Sequence, residues 1–327
     1  MPLTRSSASL IAVSTLFLAT PMALAAQDPP TNDDATIEVI GRRQSEEQAR
    51  KEANDFVRRT GVASGENPVA RWTAPVCPAV LGIQPEYAAI VERKMRSIAS
   101  SADIEVAPLP CKTNIVVSFT TNASAVIQRV AQKSPRRIAE VPMPDRPALL
   151  KGRAPIRWWY TTQVTGTDGM STTGDAPLAS AGTAEGGGSA LALGAQSIQA
   201  YSSSMIRTQA VRALRSATVV IDVTLSEGVP LDAVAAYAAM VAYAEVKPSQ
   251  TPPPNSILSL FNQAEKPAFA TDWDISFLKA LYSIPAARAG WKQRRMLVGK
   301  ILQDSEAAGQ IADDDEDLTE GLAEPKG

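Results

Sequence analysis

The chain has no histidine. That absence removes Ser-His-Asp and Cys-His nucleophile activation, imidazole general-base catalysis, H-E-x-x-H zinc sites and haem ligation through imidazole. Cysteine is nearly as scarce, with Cys77 and Cys111 the only thiols. There is no C-x-x-C and no histidine to lower a thiol pKa, so a disulfide is expected in an oxidising compartment rather than a free redox cysteine. Paired cysteines also leave no ligand set for structural zinc. Phosphate-binding loops are missing, since neither G-x-G-x-x-G nor G-x-x-x-x-G-K-[ST] occurs. The G-x-S-x-G elbow is missing too, because Gly188-Ser189 is followed by Ala190-Leu191. No cofactor and no metal are expected. An excess of one charge sign is also lacking: the formal net charge is −2, which argues against nucleic acid or anionic lipid as the main partner.

Residues 1–25 have the three parts of a cleavable secretory signal in order: Arg5, an apolar stretch from Leu10 to Thr20, and Ala23-Leu24-Ala25. The stretch falls short of the roughly 20 apolar residues of a spanning helix, and Pro21 interrupts it. An uncleaved anchor is the alternative. No later run is long and apolar enough to span, and no cysteine follows the cleavage site, which argues against a lipoprotein. Periplasmic or secreted localisation follows as the expectation. A Cys77–Cys111 bridge would then stabilise the fold by about 4 kcal/mol through its loop length.

Residues 26–68 are expected to form a flexible lead-in, with Pro29 and Pro30 at its start and a charged stretch from Gln44 to Arg59. A single α+β domain is expected over 69–305. Its first part alternates a helix from Pro85 to about Ser101, strand-like runs at Ile104 to Ala107 and Asn114 to Thr120, and a helix capped by Asn122. The disulfide would staple this α/β unit. Further strands are predicted at Ile156 to Thr165 and Ala217 to Leu225, around a Gly/Ser-rich insertion at 166–197. The C-terminal third is helical: a buried apolar helix from Pro230 to about Val246, shorter ones at Ser256 to Asn262 and Asp272 to Ile284, and a last one from about Ala286 to Gln303 bearing Lys292, Arg294, Arg295 and Lys300. Residues 306–327 are expected to be a disordered acidic tail. The class is α+β with a mixed sheet.

Few catalytic options survive. Ser276-Phe277-Leu278-Lys279 matches S-x-x-K, which puts a serine one turn from a lysine. Asp222, Asp232, Asp272 and Asp274 are candidates for a carboxylate pair. The last two lie at a helix start, where capping is the competing role. Trp158 and Trp159 are adjacent on a predicted strand and point to opposite faces. Either both faces are covered, or one indole beside Tyr160 is exposed as a binding surface.

Two short stretches resemble known proteins. Ile37-Glu38-Val39-Ile40-Gly41-Arg42-Arg43 resembles the β-prone segment near the mature N-terminus of TonB-dependent outer-membrane receptors; a short edge strand or linker is the other reading. The second resemblance is longer, over about residues 69–300. Arg71-Trp72, Pro75-Val76-Cys77-Pro78, Gly82, Cys111, Asn114, Val117-Ser118-Phe119-Thr120 and Arg157-Trp158-Trp159-Tyr160 resemble a recurrent module of exported proteobacterial proteins of unknown function. Ala235-Ala236-Tyr237, Ser256 to Phe261 and Trp273-Asp274 continue it. The resemblance implies export without implying an activity. A strand followed by a buried helix is also similar to a zincin scaffold, here without ligands on the helix. The function expected is a non-catalytic envelope protein that binds an envelope protein or a small ligand. A periplasmic hydrolase using carboxylates or Ser276 and Lys279 is the alternative.

Overall fold

A computed structural model describes residues 34–166, 210–248, 251–263 and 266–320, with side chains over 46–164, 211–248, 251–263 and 266–305. The segment read as a signal peptide and the 167–197 part of the Gly/Ser-rich insertion lie outside the described residues. The chain divides into two units, Met1–Gln44 and Ser45–Gly327. The fold that follows is that of the second; of the first, only its share of one helix is described.

Four strands form one mixed sheet in the order β1-β2-β4-β3. They are β1 (Pro78–Leu81), β2 (Ile115–Thr120), β3 (Ile156–Gly166) and β4 (Ala210–Asp222). β1 pairs parallel with β2 and β2 parallel with β4, while β3 runs antiparallel to β4. Helix α1 spans Asp34–Thr60, α2 Pro85–Ser101, α3 Ala123–Lys133, α4 Arg146–Lys151, α5 Leu231–Tyr243, α6 Asp272–Ser283 and α7 Gly290–Glu320. The α+β class, the disulfide and the helical C-terminal third are as the sequence predicts.

Both faces of the sheet are covered. In β2 the residues alternate, with Ile115, Val117 and Phe119 in the main core alongside Met95 and Ile98 of α2 and the buried α5. Across the sheet a smaller cluster joins Ile127 of α3, Leu149 of α4, Val220 and Trp159. The period of two along β3 thus sends Trp158 into one core and Trp159 into the other. α5 is buried from Ala233 through Tyr243, as a helix with almost no polar side chain must be.

Local chemistry sets the boundaries. Asn122 accepts a bond from Ala125 N at 2.9 Å and starts α3. Thr271 and Asp274 form a capping box at α6. Gly82 leaves β1 with φ +85°, where a Cβ would lie 2.1 Å from the Phe119 carbonyl oxygen, so only glycine fits. Each outer strand has a backbone N–H taken by a glutamate, Val80 N by Glu92 at 2.9 Å and Thr162 N by Glu140 at 2.8 Å. Occupied donors blunt edge-to-edge pairing. Cys77 and Cys111 are bonded, with Cα atoms 6.1 Å apart.

Four expectations are corrected. The lead-in is neither flexible nor a strand over its described part: α1 runs through 37–43, and Ala53, Phe56 and Val57 are buried in the main core. Their spacing is that of one helical face, which the surrounding charge conceals. Val62 and Val69 join the same core, so the domain begins before residue 69. Ile104 to Ala107 makes only a single bridge, Val76 to Val106, while β1 is an unforeseen edge strand opened by a proline. The acidic tail is helical as far as Glu320, where α7 ends.

Candidate functional site

The aromatic surface expected at Trp158, Trp159 and Tyr160 does not exist. Trp158 is 7 % and Trp159 4 % exposed, and Tyr160 is half-buried against the core. Trp158 and Tyr160 serve the end of α5, while Trp159 packs into the smaller cluster across the sheet. A helix leaves its last four carbonyls without intrahelical partners, and a buried end has no water to supply them. Here Ala244 N reaches Met240 O at 3.3 Å, Tyr160 OH donates to Val241 O at 2.6 Å, Trp72 Nε1 to Ala242 O at 2.9 Å and Tyr282 OH to Tyr243 O at 2.8 Å. Beyond the helix, Tyr160 OH also reaches Ala244 O at 2.8 Å, and Trp158 Nε1 donates to Val246 O at 3.0 Å. Aromatic donors from three parts of the chain thus cap one apolar helix. Burial pushes the Tyr160 phenol well above its ordinary range, and the nearby Glu245 charge pushes it further. Arg71 does the same service for α6, donating to Leu281 O, Tyr282 O and Ile284 O at 3.0, 3.0 and 2.7 Å.

The candidate carboxylates are likewise committed to the fold. Asp222 is buried and accepts from Ala123 N at 3.0 Å and Thr224 N at 3.2 Å, tying α3 to the end of β4. Asp274 is fully buried, accepting from the Ser256 hydroxyl, from Ile257 N at 2.8 Å and from Thr271 N at 2.9 Å. Burial raises its pKa, and these hydrogen bonds pull it back down. Asp232 sits in the first turn of α5 and exposed Asp272 in that of α6, where the helix dipole favours a carboxylate. Ser276 and Lys279 share a helix, but no hydrogen bond joins them among the described residues, and the lysine is exposed. No group of three or more cysteine, aspartate or glutamate side chains gathers for a metal among the described residues.

What the fold does assemble is a small, open cleft of about 120 Å³ against α1. Its floor is aromatic: the Phe56 and Trp273 rings stack 5.5 Å apart at 25°. Pro253 and Pro254 also line it, as do Glu52, Asp55 and Arg59, which share one face of α1. Trp273 remains half-exposed, although its neighbour Asp274 is locked in place. The arrangement offers an apolar contact surface beside both signs of charge, which suits binding a mixed apolar and polar group. Sequence reasoning missed it because α1 was not foreseen; the signal available was the helical spacing of Ala53, Phe56 and Val57. Comparison with protein-family models, with characterised proteins and with solved structures returns no match for this chain.

Proposed function

We propose that this is an exported envelope protein, periplasmic or secreted, that acts by binding a protein or small ligand rather than by catalysis. The observation carrying this reading is the cleft of Phe56, Trp273, Pro253 and Pro254, which is accessible while the buried candidate carboxylates Asp222 and Asp274 are consumed by structural hydrogen bonds. Export is supported by the signal-like residues 1–25 and by the Cys77–Cys111 bridge, which suits an oxidising compartment. No helix among the described residues is long and apolar enough to cross a membrane.

Cell fractionation and capture from an envelope extract test the two halves. The protein is expected outside the cytoplasm, shortened by its first 25 residues. Trp273→Ala is expected to lose the captured partner or ligand while the circular dichroism of the chain stays unchanged. Retention of the full-length chain in the cytoplasm would overturn export. Equal capture by wild type and Trp273→Ala would overturn the cleft.

A further inference from the structure

Helix α7 carries its charges against its own dipole. Lys292, Arg294, Arg295 and Lys300 occupy its first half, and Asp313-Asp314-Asp315-Glu316-Asp317 and Glu320 its end. Cations near the N-terminus and carboxylates near the C-terminus both weaken a helix, and like charges three or four residues apart add to the cost. Helix stability therefore does not account for this distribution.

The basic end is organised around an aromatic ring. Trp291 is 37 % exposed, with Lys292 Nζ 5.1 Å and Arg295 Cζ 5.5 Å from its ring centroid. Arg294 and Arg295 are exposed, and none of these three cations has a carboxylate partner among the described residues. The first N–H groups of α7 are already bonded, Trp291 N to Gly65 O at 2.9 Å and Gly290 N to Glu66 O at 3.4 Å, so the side chains supply the positive charge.

The two charged ends of one helix cannot meet each other. At 1.5 Å per residue, positions 295 and 315 lie about 30 Å apart along the axis, well beyond the Debye length of about 10 Å. The 3.6-residue period nevertheless puts positions 295, 299, 302, 306, 313, 317 and 320 on one stripe. In its described part, Arg295 and Gly299 are exposed, and a Cβ at Gly299 would meet nothing within 4 Å. Leu302 on its edge is half-buried against the core, and from the sequence the stripe runs from basic Arg295 through Gly299 to acidic residues from Glu306 onward.

We infer that α7 is a self-association surface on which two copies pair antiparallel, the Trp291, Lys292 and Arg295 cluster of each receiving the 313–317 run of the other. A two-fold arrangement makes each contact twice and satisfies both ends together. The occupant is a second copy because the acidic complement is carried in the same helix, at the far end where an antiparallel partner presents it.

Light scattering of the purified protein over a concentration series reads the dimer. A dimer is expected at low salt and dissociation at high salt. Lys292→Glu with Arg295→Glu, and separately Asp313→Lys with Asp314→Lys and Asp317→Lys, should each raise the dissociation constant about tenfold or more. Mixing the two reversed proteins should restore a dimer, which misfolded chains would not do. A wild type that stays monomeric at low salt overturns the inference, as does either reversal leaving the dimer intact or a mixture that fails to pair. Capture of a monomeric wild type by phosphatidylglycerol vesicles, lost in the Lys292 and Arg295 reversal, would overturn it in favour of an anionic lipid surface.

Discussion

Tyr160→Phe is the sharpest test of how the fold treats its aromatic residues. The phenol donates to Val241 O and Ala244 O at 2.6 and 2.8 Å. Ala244 O keeps a second donor, Val246 N at 2.7 Å, so the substitution orphans only Val241 O, at the end of a buried helix. Leaving one buried carbonyl unpaired costs about 1–3 kcal/mol. For a domain of this size that corresponds to a fall in Tm of about 2–4 °C for each kcal/mol lost. Urea denaturation with the disulfide intact reads the change as a shift of midpoint at constant slope. The control is Tyr237→Phe, because the Tyr237 hydroxyl has no hydrogen-bond partner among the described residues while its ring is also packed in the core. That control should stay within about 0.5 kcal/mol of wild type. Equal effects of the two substitutions would refute the capping account, as would a Tyr160→Phe midpoint indistinguishable from wild type.

Asp274→Ala should cost about 2–4 kcal/mol in the same assay, because it leaves the buried Ile257 and Thr271 N–H groups, which the carboxylate now accepts, without a partner; a neutral outcome would contradict that network. Gly82→Ala should cost at least about 2 kcal/mol, since it combines a positive φ with a Cβ 2.1 Å from Phe119 O. Serine at both Cys77 and Cys111 should remove up to about 4 kcal/mol, the loop-closure contribution of the bridge, with the sheet retained by circular dichroism. Tyr160, Tyr237, Tyr243 and Tyr282 are all pushed above the ordinary tyrosine range, chiefly by burial. The unfolded chain releases these protons near pH 10, about the free tyrosine value, while the folded chain holds them. Their contribution is thus fully present below about pH 10 and is lost as pH rises above it. Ultraviolet titration should show the four ionising together with unfolding, and earlier independent ionisation would refute their burial.

Much of the fold is legible in the sequence because it is written locally. Pro85 and the apolar spacing behind it place α2, Asn122 caps α3, and the β-branched run Thr218 to Ile221 marks β4. The disulfide follows from there being only two cysteines. The buried state of α5 follows from its alanine-rich composition, since a helix without a polar face has to be covered. Tertiary structure decided what no local pattern encodes. Whether Trp158 and Tyr160 face a ligand or a helix end depends on where α5 terminates, and the donor that Val241 O needs comes from a distant strand. The same holds for Asp274, whose sequence neighbours suggest a cap but whose burial depends on Ser256 and Ile257 packing over it. The cleft joins Phe56 to Trp273 from nearly opposite ends of the domain. Composition and spacing determined which residues are buried and where helices begin. Which polar groups are spent inside the fold, and which surface is left over for binding, was decided only when distant segments met.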